Sequence, residues 1–255
     1  MARQLDDRSL WRLDTFRVSG RSRAGERIAI DGAEGHHAAR VMRVRPGDFV
    51  RLIDGEGWEA VARAVAVTSR AVDAEVLDSR TRARSEGTSL TIAQALLKGH
   101  GFDEAVKRCS ELGVAEIVPL VTARAQVRRA PVEARLERWR AIALASVKQS
   151  RGVFVPSVRD VATVESLADT LPGCGVYVAW EEATDSFREA LRADGPRSSM
   201  LAVIGPEGGL SADEVGVLSD AGAKPVTLGS RILRADWAAA TVATVIAHEA
   251  GGLLP

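Results

Sequence analysis

Two short stretches near the C-terminal end, 203-VIGPEGGLSADE-214 and 228-LGSRILRADWAAATV-242, hold residue types whose spacing suits chemistry. In the first, an apolar run (MLAVI) ends at Gly205, Pro206 and Glu207 follow, and Gly208 and Gly209 leave the backbone bare before Ser211 and Glu214 form a capping box. In the second, PVTL (ending at Leu228) runs into Gly229, then Ser230, Arg231, Ile232, Leu233, Arg234, Ala235 and Asp236, the last of these the expected helix cap. Glycine lets a ligand approach the main chain, and free amides at a helix start attract anions. The guanidiniums of Arg231 and Arg234 can stabilise developing negative charge, and the carboxylates of Glu207 and Asp236 can accept a proton. Any strand-to-helix turn uses glycine and a cap, so either loop alone is equally well read as a plain connection. Packing does not require two such loops about twenty residues apart with Glu207, Arg231 and Arg234 stationed at them. Neither loop is a phosphate-binding GKS/GKT loop or a GxGxxG turn.

Loops of this kind need a sheet to hold them. From residue 90 onward the chain alternates apolar runs with helical patterns: LTIAQALL, FDEAVKRCSELG, AEIVPLV, the long VEARLERWRAIALASVKQ, GVYVAW, SMLAVIG and KPVTLG. That alternation predicts a mostly parallel sheet with helices on both faces, an α/β fold. The last helix, WAAATVATVIAH, is rich in Ala and Thr and permits close approach to a neighbour. Before residue 79 the pattern differs. Short alternating runs at 26–31, 48–54, 57–67 and 71–77, broken by Gly, Pro and Asp, predict a small β-rich module interrupted by one helix at 34–44. The polar stretch 79–89 (SRTRARSEGTS) reads as a linker, dividing the chain into domains 1–79 and 80–255.

At 255 residues the chain can bury a substantial core. The N-terminal residues lack the pattern of a signal peptide and no apolar run of membrane-spanning length occurs, so a cytoplasmic protein without a membrane partner is expected. Cys109 and Cys174 lack metal-ligand spacing and are read as reduced thiols. Adjacent His36 and His37 point in different directions on a helix, and no third ligand is near, so no metal site is expected. Net charge is zero, yet residues 79–151 hold 14 basic and 7 acidic side chains. Arg accounts for 30 of the 34 basic residues, which genome composition explains better than function; the clustering it does not explain. A basic block on a neutral protein points to a polyanionic partner. The candidate phosphate contacts are Arg40, Arg43, Lys98, Arg124, Arg128, Arg129, Lys148 and Arg151; each one alone is better read as a solvated surface charge, and phosphate explains them better as a set.

The pair IGPEGGLSADE and LGSRILRADWAAAT resembles the signature of the SPOUT methyltransferases, specifically the RsmE type that methylates N3 of a uridine in small-subunit (16S) ribosomal RNA. Supporting segments run in family order through 36-HHAARVMRVRPGD-48, DGEG at 54–57, 94-QALLKGHGFDEAVKRCSELGV-114, KQSR at 148–151 and WEEAT at 180–184. The resemblance implies an N-terminal PUA-like β-barrel for RNA and a C-terminal domain tied in a deep trefoil knot. It also implies a homodimer whose second subunit completes the site, and 16S rRNA, within the assembled small subunit, as partner. S-adenosylmethionine would lie against Glu182, Ile204, Gly205, Pro206, Glu207, Gly208, Gly209, Leu228, Gly229, Ser230, Ile232 and Leu233. Arg234 and Arg231 would stabilise charge on the uracil oxygens. Asp236 or Glu207 would act as base, with Glu207 alternatively only bracing its loop. The string ILRADW departs from the family's usual ILRTE or ILRTS: Ala235 lacks a hydroxyl, and Trp237 places a large ring beside the expected cofactor hollow. A different SPOUT target, ribose or another base, and a knotted RNA-binding assembly factor without catalysis are the rival readings. A Rossmann-type nucleotide enzyme is disfavoured, since the glycine turns come late in the chain.

Overall fold

The structure is a computed structural model that describes residues 10, 12–84, 88–125, 132–171, 175–195 and 197–249, with side chains of the helix starting at Val132 described from Arg135 onward. Arg128, Arg129 and Cys174, singled out above, lie outside the described residues. The chain divides into two compact units, Met1–Arg84 with Val147–Phe154, and Ser85–Ser146 with Val155–Pro255.

The first unit is a five-stranded sheet of β1 (Thr15–Arg17), β2 (Arg27–Ile30), β3 (Phe49–Ile53), β4 (Trp58–Val67) and β5 (Val72–Thr81), ordered β1-β3-β4-β5-β2. The pair β1–β3 is parallel and the others antiparallel. Period-two alternation buries Ala60, Ala62 and Ala64 of β4 against Val72, Ala74 and Val76 of β5, as the sequence pattern requires. Two local expectations shift. Helix α1 (Gly32–His36) continues as a π-turn over His37–Val41 and stops short of residue 44; Arg43 adopts φ 56°, a left-handed conformation that ends the turn. The polar stretch at 79 is not linker from its start, because Ser79, Arg80 and Thr81 remain paired with Ala60, Glu59 and Trp58. Their polarity is explained by Glu59, which is fully buried on β4. Its Oε2 accepts from Arg51 Nε (2.9 Å) and Nη2 (2.7 Å), and its Oε1 from Arg80 Nε (2.7 Å) and Arg82 Nε (2.8 Å). Burial by itself would raise this carboxyl, but the three guanidiniums outweigh it and hold it below its usual range. Arg51 Nη2 also donates to the carbonyls of Arg151 and Gly152 at 3.2 Å each, which binds residues 147–154 into this unit.

The second unit is α/β. Its all-parallel sheet contains β6 (Ser89–Ala95), β7 (Glu116–Val121), β8 (Ser157–Val158), β9 (Ala162–Thr163), β10 (Gly175–Ala179), β11 (Ser199–Ile204) and β12 (Lys224–Val226), in the order β12-β10-β11-β6-β7-β8 with β9 beside β7. Alternate residues feed two cores. Tyr177, Met200, Ala202 and Ile204 face one core with residues of α2 (Gly101–Glu111), α3 (Val132–Ser150), α5 (Phe187–Asp194) and α7 (Ala235–Glu249). Val176, Val178, Leu201 and Val203 face the other with α4 (Val164–Ala168) and α6 (Ala212–Asp220). A sheet covered on both faces explains why its strands read as unbroken apolar runs, each buried Val, Leu or Ile contributing about 1.5–3 kcal/mol. Helix α7 packs against α2 through small residues, with Ala239 and Ala243 wholly buried. Asp236 is not its cap: it is the second residue of the helix, and its side chain is used elsewhere.

Candidate functional site

Because β12, β10, β11 and β6 are consecutive in the sheet, the loops at their carboxyl ends emerge side by side. That edge of an open parallel sheet is where ligands bind. The loops after β6 (Leu97, Lys98), β10 (Trp180, Glu181), β11 (Gly205, Pro206, Glu207 and Gly209) and β12 (Thr227–Arg234) line one cavity of about 1060 Å³, closed by the starts of α2 and α7. Main-chain bonds lock the strand ends together: Trp180 N–H donates to Val226 O (3.0 Å), Thr227 N–H to Asp185 O (2.8 Å) and Phe187 N–H to Thr227 O (3.1 Å).

The first glycine loop is held from several directions. Ser211 and Glu214 form the expected capping box at the start of α6, an arrangement whose cap residue is worth about 0.5–2 kcal/mol. Glu214 is nearly buried, and its Oε1 also accepts the Ala123 N–H at 2.6 Å. Arg124 Nη1 donates to the carbonyls of Gly208 (3.0 Å) and Leu210 (3.3 Å). Lys98 N–H donates to Glu207 Oε1 at 3.0 Å, and the buried Gln94 amide donates to Ala95 O (3.1 Å) and Gly205 O (3.4 Å). Gly209 has φ +69°, which favours glycine, and a β-carbon there would stand 2.2 Å from Glu181 Oε1 and displace that side chain.

Of the expected cofactor residues, Ile204, Gly205, Pro206, Glu207, Gly209, Leu228, Gly229, Ser230, Ile232 and Leu233 line the cavity. Gly208 does not; its carbonyl receives Arg124 instead. Glu182 is also absent from the lining, and its neighbour Glu181 takes the place, because the chain bends at the end of β10 and turns the first of the two carboxylates inward. Arg231, Arg234, Asp236 and Glu207 all reach the cavity. Their surroundings differ. Arg231 and Arg234 are exposed at the rim, whereas Asp236 is buried, with Oδ2 bound to Arg108 Nη1 and Oδ1 3.3 Å from Arg234 Nε. Both of its oxygens therefore face guanidiniums. Trp237 is not in the lining; its ring lies 4.4 Å from Arg108 Cζ, outside the hollow.

The phosphate candidates separate as well. Lys98 lines the cavity and Arg40 and Arg43 are exposed. Arg124 is committed to loop carbonyls, Lys148 Nζ is bound to Glu34 (2.7 and 3.0 Å), and Arg151 Nη1 donates to Leu13 O (2.5 Å) and Thr15 Oγ1 (3.1 Å). Residues not singled out from sequence also stand here: Glu181, Gln94, Arg108, and Glu104 and His100 on the cavity wall. His100 Nδ1 lies 3.1 Å from Asp103 Oδ2. Burial would raise the Asp103 carboxyl, but hydrogen bonds from Arg138, His100 and Trp139 prevail and lower it. The only sequence trace of Arg108 is its i, i+4 spacing from Glu104 on the helical pattern.

Comparison with known proteins agrees with this geometry. Residues 84–247 match the model of an RNA methyltransferase domain, and residues 30–77 that of an RNA methyltransferase PUA domain. The chain is similar to ribosomal RNA small subunit methyltransferase E of Mycobacterium bovis, at 35% identity over 225 residues covering 85% of this chain and 84% of that protein. Similarity to the protein of the same name from Bacillus subtilis is 31% over 230 residues, 87% of this chain and 90% of that one. Among solved structures, ribosomal RNA small subunit methyltransferase E of Neisseria gonorrhoeae, bound to S-adenosyl methionine, superposes with a TM-score of 0.83 at 26% identity, covering 92% of this chain and 97% of that one. The convergence of both glycine loops on one cavity, the two domain matches in chain order and the relatives matched over 84–90% of their length together place this chain in the ribosomal RNA small subunit methyltransferase E family.

Proposed function

We propose that this protein is an S-adenosylmethionine-dependent methyltransferase acting on N3 of a uridine in 16S ribosomal RNA. The observation that carries the reading is the meeting of loops 204–210 and 227–234 in a single cavity. The residues present suit a bulky cationic cofactor. Gly209 and Gly229 present bare main chain to the cavity, nothing lies within 4 Å of a β-carbon built on Gly229, and the carboxylates of Glu104, Glu181 and Glu207 line the wall. A volume of about 1060 Å³ lies at the upper end of ligand pockets, which run from about 300 to 1,000 Å³. Ile204, Gly205, Gly209, Leu228, Gly229, Ile232 and Leu233 would hold the cofactor, chiefly by main chain, with Glu181 in the role first given to Glu182.

When bound, the cofactor supplies a methyl group already activated on a sulfonium. The chain's task is then to orient the base and manage the N3 proton. Arg234, assisted by Arg231, stabilises negative charge developing on uracil O2 or O4, as donors do in an oxyanion hole. Asp236 is assigned to holding Arg234, since both of its oxygens are engaged. Glu207 keeps one oxygen free of the Lys98 amide, and it is the carboxylate we assign to the proton, a contribution of about 10²- to 10⁴-fold. The exposed Arg40 and Arg43 of the first unit, with Lys98 at the cavity, are assigned to RNA phosphate. A homodimer, the trefoil knot of the second unit, a cytoplasmic site of action and recognition of the assembled small subunit belong to the same reading. The exposed apolar side chains of Ile232 (89% exposed) and Trp237 (52%) at the rim support completion by a second copy.

The test is methylation in vitro of small subunits from a strain lacking the enzyme, with the product nucleoside identified by mass spectrometry. N3-methyluridine is expected. Ribose methylation would move the protein to another SPOUT activity, and absence of any heat with S-adenosylmethionine in calorimetry would make it a binding factor.

A further inference from the structure

We infer that Arg108, which lies in neither glycine loop, is a positioning residue for Arg234, acting through Asp236 and steadied by Trp237. The inference rests on the reading that Arg234 faces the methyl acceptor. Arg108 stands on α2 and Asp236 at the start of α7, the two helices that pack together beneath the cavity. The Asp236 side chain is only 4% exposed, and a buried carboxylate must be paired on both oxygens. Arg108 Nη1 takes Oδ2, and Arg234 Nε lies 3.3 Å from Oδ1. Arg234 approaches Oδ1 through Nε as an ion pair, which leaves its two terminal nitrogens for a ligand. Without this tether a side chain 79% exposed at the rim samples many rotamers.

Arg108 is itself fixed on three sides. Its second terminal nitrogen lies 3.5 Å from Glu104 Oε2, one turn back on α2, and the Trp237 ring covers its face at a centroid distance of 4.4 Å. Trp237 follows Asp236 directly, so one helical turn brings both the carboxylate and the aromatic plane to the same guanidinium. The ring holds the guanidinium by a cation–π contact. Trp237 thus packs on Arg108 rather than filling the cavity. A lysine at 108 has neither a fork for two carboxylates nor a plane for the indole.

The experiment is a double-mutant cycle on the full-length protein, with methylation of enzyme-deficient small subunits at saturating cofactor and S-adenosylmethionine affinity by calorimetry. R108M and R108K are each made alone and with R234A. The expected result is a turnover loss of about 10- to 100-fold for either Arg108 variant, cofactor affinity within about twofold, and no further loss when either is added to R234A. R108K, which keeps the charge, carries the test if R108M does not fold. If R108K doesn't lower turnover, or if losses multiply in the double variants, Arg108 does not act through Arg234 and the inference fails while the catalytic reading stands. If R234A itself retains full turnover, the catalytic reading fails and the inference with it.

Discussion

The Glu181 carboxylate and the Gly209 main chain are fitted to each other: Oε1 would lie 2.2 Å from any β-carbon added at Gly209. Two loops from different strands therefore meet at the cavity wall. Gly209→Ala must move Glu181 and also adopt φ +69°, a conformation that costs a residue with a side chain about 1–3 kcal/mol. Cofactor affinity measured by calorimetry should fall at least tenfold in this variant. Wild-type affinity would show that this contact does not shape the cofactor site.

Arg124 separates support of the loop from contact with RNA. Its guanidinium is spent on the Gly208 and Leu210 carbonyls, so Arg124→Ala should weaken S-adenosylmethionine binding and leave the salt dependence of RNA affinity unchanged. Replacing Arg40 and Arg43 together should do the reverse, lowering RNA affinity and reducing the slope of log affinity against log salt by about one to two. An unchanged slope in that double variant would remove the first unit's exposed arginines from the RNA contact.

The buried Glu59 cluster predicts the acid response of the first unit. The folded carboxyl sits below its usual value of 4.5, because Arg51, Arg80 and Arg82 outweigh the burial that would raise it. A depressed folded value means stabilisation that is complete above 4.5 and is lost as pH falls through the lower folded value. Unfolding followed between pH 6 and 3 should show that loss, and Glu59→Gln, which strands Arg51, should cost about 3–5 kcal/mol at neutral pH. A variant with unaltered stability and the same acid profile would exclude the cluster as the cause.

Cys109 is buried in the core of the second unit, and desolvation pushes its thiol up to about 12, with Arg108 pulling weakly the other way. Mass mapping after treatment with a thiol reagent at pH 8 should find Cys109 unmodified in the folded protein and fully modified in denaturant. Labelling under native conditions at a rate comparable to a free thiol would mean that α2 opens readily.

Much of this architecture is legible in the residue pattern. Apolar runs alternating with amphipathic stretches fix the α/β class, because a sheet covered on both faces demands continuous apolar strands such as 200-MLAVI-204. The Ser211–Glu214 box and the glycines at 205, 209 and 229 announce the two loops, since capping and backbone approach depend on residues only a few positions apart. What the pattern does not contain is the identity of partners far along the chain. Glu181 rather than Glu182 faces the cavity because of where β10 ends and the chain bends. Asp236 looked like a cap and a base, yet α2, 128 residues away in sequence, supplies the guanidinium that claims it. Arg124 and Lys148 read as free charges until the fold set carbonyls and a carboxylate against them. Periodicity records which face of an element is buried; the group that meets each polar atom there is decided only when the elements pack, since a hydrogen bond reaches about 3 Å whatever the distance along the chain.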